Sequence, residues 1–347
     1  MAEGVNPADL SPDDRLLLTL AQVAFPLVTR PFAALGESIR WSEEAVIARL
    51  VALKEAALIR RIGPIFEPAA LGLTSELIAA QVVAGRLDAV GASVAAWSEV
   101  THCYVRSHRV NLWFAGVAAD ATWFEQAAEE VRGWQGVLGV WRLPTLRRFK
   151  IAVHFDLTDG GLARADLPTA DLDGPGVGVA PDAAPSLPEP GLLAALDADL
   201  PLSPRPFLLL AERCGWPEAD LLEVIRDWSA SGRIRRYGAS VNHRRLGFVA
   251  NAMTVWSVPD DRIEEVGGAL ALAPEVSHCY QRPRFPEFPF NLYAMIHGRC
   301  REECLAAAAK LSQSCGLDEP LALFSTKEFK KSAPAYASLL ASPPHRP

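Results

Sequence analysis

Two short stretches carry the densest chemistry in this 347-residue chain. Val100-Thr101-His102-Cys103-Tyr104-Val105-Arg106 and Val276-Ser277-His278-Cys279-Tyr280-Gln281-Arg282 each set an imidazole, a phenol and a guanidinium at alternate positions. Side chains on a strand alternate between the two faces of a sheet. His102, Tyr104 and Arg106 therefore share one face, and Cys103 and Val105 take the other; His278, Tyr280 and Arg282 repeat the arrangement. Asn111 with Trp113, and Asn291 with Tyr293, form similar rows on the following strand. An imidazole changes charge near neutral pH, and a guanidinium pairs with carboxylates. Such a row serves either as a hydrogen-bonded seam between domains or as the lining of a ligand cleft.

A second dense patch runs Arg235-Arg236-Tyr237-Gly238-Ala239-Ser240-Val241-Asn242-His243-Arg244-Arg245. Arg60-Arg61-Ile62-Gly63 matches its start, but the first copy continues as Phe66-Glu67-Pro68-Ala69-Ala70, so Asn242, His243 and Arg244 have no counterpart. Taken alone, His243 reads as a surface histidine in a wing; beside its cluster it reads as a site residue. Four segments, Val100–Trp113, Trp141–Lys150, Arg233–Arg245 and Val276–Phe285, span 47 positions with 13 Lys or Arg and no Asp or Glu. The whole chain has a formal net charge of -7. An acidic protein that gathers its bases around repeated elements is expected to bind an anion, and one with several carboxylates would suit.

These motifs recur at nearly constant offset. Arg30-Pro31-Phe32 returns as Arg205-Pro206-Phe207, Leu71-Gly72 as Leu246-Gly247, Asn111-Leu112-Trp113 as Asn291-Leu292-Tyr293, and Phe149-Lys150 as Phe329-Lys330. The chain is a tandem duplication whose second copy has extra residues in the loop Pro283–Phe290. In each half, Ser11-Pro12-Asp13-Asp14 and Ser42-Glu43-Glu44 in the first copy open helices, and Leu58–Ile62 has strand character, which together make a winged helix. A β-α-β-β-α-β order follows, the ferredoxin-like arrangement. The fold class is α+β, each half a winged-helix domain followed by a ferredoxin-like domain. The expected boundaries are 1–75 and 76–156 for the first half, 157–190 for a flexible Gly- and Pro-rich linker, 191–247 and 248–331 for the second half, and 332–347 for a frayed tail.

Composition narrows the function. Hydrophobic residues make up 50% and charged residues 22%, enough for packed cores. No window is long and apolar enough to span a bilayer, and no signal-peptide pattern follows Met1. Six sparse cysteines with no CxxC pair point to a reducing compartment, the cytoplasm, and Cys300 and Cys304 read as buried thiols rather than a metal pair. The second recognition-type helix, Glu218–Asp227, carries a net charge of -3 and the first, Ser42–Glu55, of -1. That balance opposes entry into a groove lined by phosphates, so both winged helices are expected to be packing modules without nucleic acid.

At these residues the chain resembles siroheme decarboxylases, a family related to Lrp/AsnC regulators that works in heme d1 and alternative heme biosynthesis. The motifs are Arg-Arg-Ile-Gly-Pro-Ile-Phe and Tyr-Val-Arg-Ser-His-Arg-Val-Asn-Leu-Trp-Phe in the first half, and Arg-Arg-Tyr-Gly-Ala-Ser-Val-Asn-His-Arg-Arg-Leu-Gly-Phe, Ala-Asn-Ala-Met and Val-Ser-His-Cys-Tyr-Gln-Arg with Phe-Asn-Leu-Tyr in the second. The resemblance covers both halves and leaves out the linker and tail. It implies that two subunits are fused here into a pseudo-dimer that can still self-associate. It also implies that the acetates at C12 and C18 of siroheme become methyl groups, giving didecarboxysiroheme and two CO2. The iron then arrives with the substrate and no separate cofactor is expected. Siroheme is the expected partner, possible contacts include other heme d1 biosynthesis proteins, and neither nucleic acid nor membrane is expected.

A planar macrocycle with many carboxylates needs cationic anchors and aromatic walls. Arg60, Arg61, Arg106, Lys150, Arg235, Arg236, Asn242, Arg244, Arg282 and Lys330 are the expected anchors, and Trp113, Tyr237 and Tyr293 the expected walls. His102, His243 and His278 are the candidates for proton donor and for axial ligand to the siroheme iron, with Tyr104 or Tyr280 assisting. Sequence leaves open which histidine takes which role. Two competing readings are an Lrp/AsnC-type ligand-responsive DNA-binding transcriptional regulator and a heme-binding protein without catalysis.

Overall fold

The computed structural model describes residues 10–151, 157 and 190–341. In chain order the first half runs α1 (Pro12–Val23), α2 (Pro31–Ile39), α3 (Glu43–Glu55), β1 (Ile59–Phe66), β2 (Thr74–Val82), α4 (Leu87–Ala96), β3 (Val100–Arg106), β4 (Leu112–Ala118), α5 (Thr122–Arg132), β5 (Val137–Leu143) and β6 (Arg147–Ile151). The second half runs α6 (Pro190–Asp197), α7 (Pro206–Cys214), α8 (Glu218–Ala230), β7 (Ile234–Val241), β8 (Ala250–Trp256), α9 (Ile263–Leu272), β9 (Val276–Gln281), β10 (Leu292–Gly298), α10 (Arg301–Cys315), β11 (Leu321–Lys331) and α11 (Tyr336–Ala341). These elements form two compact units, Met1–Leu71 with His154–Gly247, and Gly72–Val153 with Phe248–Pro347.

The first unit holds both winged helices. Ser11 caps α1: its hydroxyl accepts from the Asp14 amide at 3.1 Å, and the Asp14 carboxylate accepts from the Ser11 amide at 3.0 Å. A helix not anticipated from sequence, α2, begins at the repeated Arg-Pro-Phe, with Pro31 at its first position; α7 repeats it from Pro206. Phe32, Leu35, Val46, Leu50 and Leu53 pack the first copy, and Phe207, Leu210, Leu221 and Ile225 the second. The two wings pair with each other. β1 and β7 form an antiparallel ribbon with Gly63 opposite Gly238. A Cβ at Gly238 would lie 2.5 Å from the Ala21 carbonyl, so the end of α1 passes where only glycine fits.

The second unit is a nine-stranded sheet in the order β5-β2-β4-β3-β11-β8-β10-β9-β6. Both β-α-β-β-α-β repeats lie where expected. Their helices cover one face, over cores that include Phe114 and Phe124 in one repeat and Trp256 and Ile296 in the other. The sequence places a last strand at Leu321–Ser325, but neither β6 nor the continuation of β11 to Lys331 is expected from it. β6 leaves the first half and pairs with β9, while β11 pairs with β8 through Leu321–Phe324 and with β3 through Ser325–Lys331. The halves thus exchange strands reciprocally, which protects the β3 and β9 edges. Phe329 lies against Gly91 of α4 and Phe149 against Gly267 of α9; a Cβ at either glycine would sit within 2.5 Å of the ring. On the face away from the helices, Ala79, Val110, Trp113, Leu143, Met253, Val255, Phe288, Tyr293 and Leu323 form a third core.

The frayed tail needs correction over 336–341, where α11 forms with Tyr336 buried. Most of the expected linker, 158–189, and the end of the tail, 342–347, lie outside the described residues. No helix among the described residues is long and apolar enough to cross a membrane.

Candidate functional site

The repeated strands present their residues as alternation requires. The Cys103 thiol turns to α4, 3.8 Å from the Gly91 carbonyl, and the Cys279 thiol turns to α9, 3.9 Å from the Gly267 carbonyl. Burial pushes both thiols up to about 12. The residues between them face away from the helices. Ring centroids of His102 and Tyr104 are 6.1 Å apart, as are those of His278 and Tyr280. The Arg106 guanidinium lies 5.7 Å from the Tyr104 ring and that of Arg282 lies 4.9 Å from the Tyr280 ring. Each row ends on a backbone carbonyl of the other half: Arg106 donates to Leu323 at 2.7 Å and Arg282 donates to Leu143.

Both guanidiniums are deeply buried. Desolvation lowers Arg106 to about 10 and lowers Arg282 as well. Arg106 has no carboxylate against it among the described residues, and its Nε is buried without a hydrogen-bond partner there. Burying a charge without a counter-charge is unfavourable, and a guanidinium so placed can pair with a carboxylate that reaches it.

A repeated β-bulge orients each imidazole. The register shifts between Val100 and His102 opposite β4, and between Val276 and His278 opposite β10. The extra residue brings a hydroxyl beside the ring: Thr101 Oγ1 is 3.0 Å from His102 Nδ1, and Ser277 Oγ is 3.0 Å from His278 Nδ1. Sequence reading missed these hydroxyls, although both copies carry one immediately before the histidine. It also missed His297, whose Nε2 is 2.9 Å from Ser277 Oγ.

Several expected site residues have other work. Lys150 and Lys330 pair with Cys279 and Cys103 in register, on the helix-covered face, and donate to the Ala273 carbonyl at 2.8 Å and the Trp97 carbonyl at 2.6 Å. They sit at the C-terminal ends of α9 and α4, where a cation offsets the helix dipole. This corrects their assignment as anchors beside the rows. Trp113 and Tyr293 are buried in the third core rather than offered as open walls; Trp113 donates to the Val110 carbonyl at 2.9 Å and meets the Phe288 ring edge-on at 5.4 Å. Phe288 belongs to the longer loop of the second copy, and Phe285 of that loop stacks on Trp141 at 4.6 Å. Asn111 and Asn291 staple loops, each bonding both ways to the backbone of Val82 or Val258.

In the first unit, the Arg-Arg motifs tie the wings. Arg61 donates to the carbonyls of Asp197 and Pro64, and Arg235 donates to Phe66 and lies 3.7 Å from Glu67. Arg236 donates to Gln22 at 2.7 Å and is lowered to about 10 by burial. Tyr237 is buried between Phe25 and Phe207, and burial raises its phenol. These contacts correct the reading of Tyr237 as a wall and give Arg61, Arg235 and Arg236 structural roles. The Asn242 amide donates to the Leu58 carbonyl. His243 is buried in the turn that follows β7, and Arg60 and Arg244 are exposed. The structure therefore sets the His243 cluster in one unit and the His102 and His278 rows in the other.

The recognition-type helices spend their bases internally. Arg49 pairs with buried Asp14 at 2.6 Å, Lys54 pairs with Asp199, and Arg226 donates to the Leu27 carbonyl at 2.8 Å. With the wings joined to each other, little is left to meet phosphates. Cys304 is buried as expected; Cys300, expected to be buried, is exposed just before α10. No cluster of three metal-ligating side chains occurs among the described residues.

Known proteins share this arrangement. Residues 14–60 and 189–235 match the siroheme decarboxylase NirDL-like HTH domain, and 70–150 and 245–330 match the AsnC-like ligand binding domain. The siroheme decarboxylase of Hydrogenobacter thermophilus is 35% identical over 91% of this chain and 92% of its own. The siroheme decarboxylase NirDL subunit of Paracoccus pantotrophus is 38% identical over 94% of this chain and 98% of its own. This chain belongs to the siroheme decarboxylase family. A crystal structure of siroheme decarboxylase NirDL in complex with an iron-uroporphyrin III analogue matches with a TM-score of 0.67 and 31% identity, over 95% of this chain and 96% of that one. The siroheme decarboxylase beta subunit of Methanosarcina barkeri matches 40% of this chain with 92% of its own length, as a fusion of two family subunits requires.

Proposed function

We propose that this enzyme, a carboxy-lyase, converts the C12 and C18 acetates of siroheme to methyl groups and releases two CO2. The observation that carries the reading is the pair of buried guanidiniums, Arg106 and Arg282, each stacked on the tyrosine of a His-Tyr row. A carboxylate arriving at Arg106 supplies a counter-charge that none of the described residues provides. Anchors of this kind hold the macrocycle while the reacting acetate leaves water, which favours loss of CO2.

The chemistry balances without an oxidant. The bond between the acetate methylene and its carboxylate breaks, CO2 departs, and the electron pair is held in the macrocycle until the methylene carbon takes one proton. His278 is the proton donor in this reading, with Tyr280 beside it. The six cysteines are free thiols, which fits a cytoplasmic protein. The test is anaerobic incubation with siroheme: two CO2 per siroheme supports the reading, and unchanged siroheme with an active control enzyme refutes it.

A further inference from the structure

The two rows look alike but are not equivalent behind the imidazole. In the first, His102 Nδ1 meets the Thr101 hydroxyl, which also lies 3.2 Å from the Ala115 carbonyl. In the second, Ser277 Oγ sits between two imidazoles, 3.0 Å from His278 Nδ1 and 2.9 Å from His297 Nε2, with the Met295 carbonyl farther off at 3.3 Å. By the offset of the repeat, the first copy has Val117 where the second has His297.

A hydroxyl has one hydrogen to give and two lone pairs to fill. Burial holds His297 well below an ordinary histidine, at about 4, with Lys331 adding to the effect, so it is neutral at pH 7. A neutral His297 that gives its Nε2 hydrogen to Ser277 leaves the serine hydrogen for the nearer of its two acceptors, His278 Nδ1. His278 then carries its own hydrogen on Nε2. That is the tautomer a proton donor needs, because the nitrogen turned away from the bulge bears the hydrogen.

We infer that Ser277 and His297 are positioning residues that fix His278 in the Nε2–H tautomer, the form from which the second row can deliver a proton. The inference rests on the decarboxylase reading for what the proton does, but the tautomer itself does not depend on it. His278 Nε2–H breaks as the methylene C–H forms while Nδ1 takes up a proton supplied from solvent, so the ring ends neutral, each decarboxylation consumes one solvent proton, and exchange with solvent restores the Nε2–H form before the next.

The test has two arms. In 15N-histidine-labelled full-length protein without siroheme, His278 should show a protonated Nε2 and a bare Nδ1, identified by the signals lost in His278→Gln. His297→Phe and Ser277→Ala should each shift that signature toward a tautomer mixture. With siroheme, the same variants should lower kcat about tenfold and leave KM within about twofold, the pattern of a lost second contact behind a reacting group. Ser277→Thr, which restores the hydroxyl found in the first copy, should recover most of the loss. If His297→Phe does not fold, the Ser277→Ala and Ser277→Thr pair decides alone. A wild-type His278 with its hydrogen on Nδ1, or variants with unchanged tautomer and kcat, overturns the inference. Failure of siroheme turnover by the wild type would sink the decarboxylase reading and leave the NMR result standing.

Discussion

Replacing Arg106 by methionine should have opposite effects on the free protein and on substrate binding. The guanidinium is buried, and its pKa falls from the ordinary 12.5 to about 10. At about 1.4 kcal/mol per pKa unit, that fall corresponds to about 3 kcal/mol against the charged side chain in the folded state. Folding therefore favours the neutral form. The penalty is fully present at pH 7 and is relieved only as pH rises from about 10 toward 12.5. Methionine fills similar space without the charge. Loss of the hydrogen bond to Leu323 and of the stack on Tyr104 offsets about 2 kcal/mol, leaving the variant more stable by about 1 kcal/mol. Siroheme loses a charge-assisted pair worth about 3 kcal/mol, so its affinity should fall about a hundredfold. Urea unfolding of the tetrapyrrole-free protein at pH 7 and an absorption titration with siroheme measure the two effects. A variant that is less stable by more than about 1 kcal/mol and binds siroheme as tightly as the wild type would refute the reasoning and make Arg106 a purely structural residue.

Three further outcomes follow from the same geometry. Gly91→Ala and Gly267→Ala would drive a methyl into the rings of Phe329 and Phe149, and each should cost about 1–3 kcal/mol in urea unfolding by displacing an exchanged strand. Lys150→Met and Lys330→Met should each cost about 0.5–1 kcal/mol by uncapping a helix, with the KM for siroheme unchanged within about twofold, because both act on the helix-covered face. His297 is neutral in the fold and held at about 4, so its contribution to stability is complete above pH 6.5 and is lost as pH falls toward 4; His297→Phe should flatten that part of the acid-unfolding curve, which otherwise spans about 3 kcal/mol.

Much of this architecture is legible in the sequence because it is repeated. The two His-x-Tyr-x-Arg strings name β3 and β9 and set their pleat, and the capped helices and the Arg-Pro-Phe repeats mark the winged helices. Strand exchange is not legible. Arg147-Arg148-Phe149-Lys150 shows no clean alternation, and nothing local says that it should pair with the other half. The anchors were over-counted for a related reason. Lys150, Lys330, Arg235 and Arg236 cluster with the motifs in sequence, but their charges are spent on backbone carbonyls that only tertiary structure brings near. Trp113, Tyr237 and Tyr293 look like walls for a flat ligand, yet the same surfaces fill cores. His297 carries no motif of its own; its role depends on a bulge that adds one residue to the register.

The most direct measurement is a crystal structure of the protein grown with siroheme, with the iron located by its anomalous scattering. The account predicts the macrocycle on the sheet face that carries His102, Tyr104, His278 and Tyr280, with a substrate carboxylate within hydrogen-bond distance of Arg106. Siroheme seated among the helices instead, with no carboxylate near Arg106 or Arg282, would contradict it.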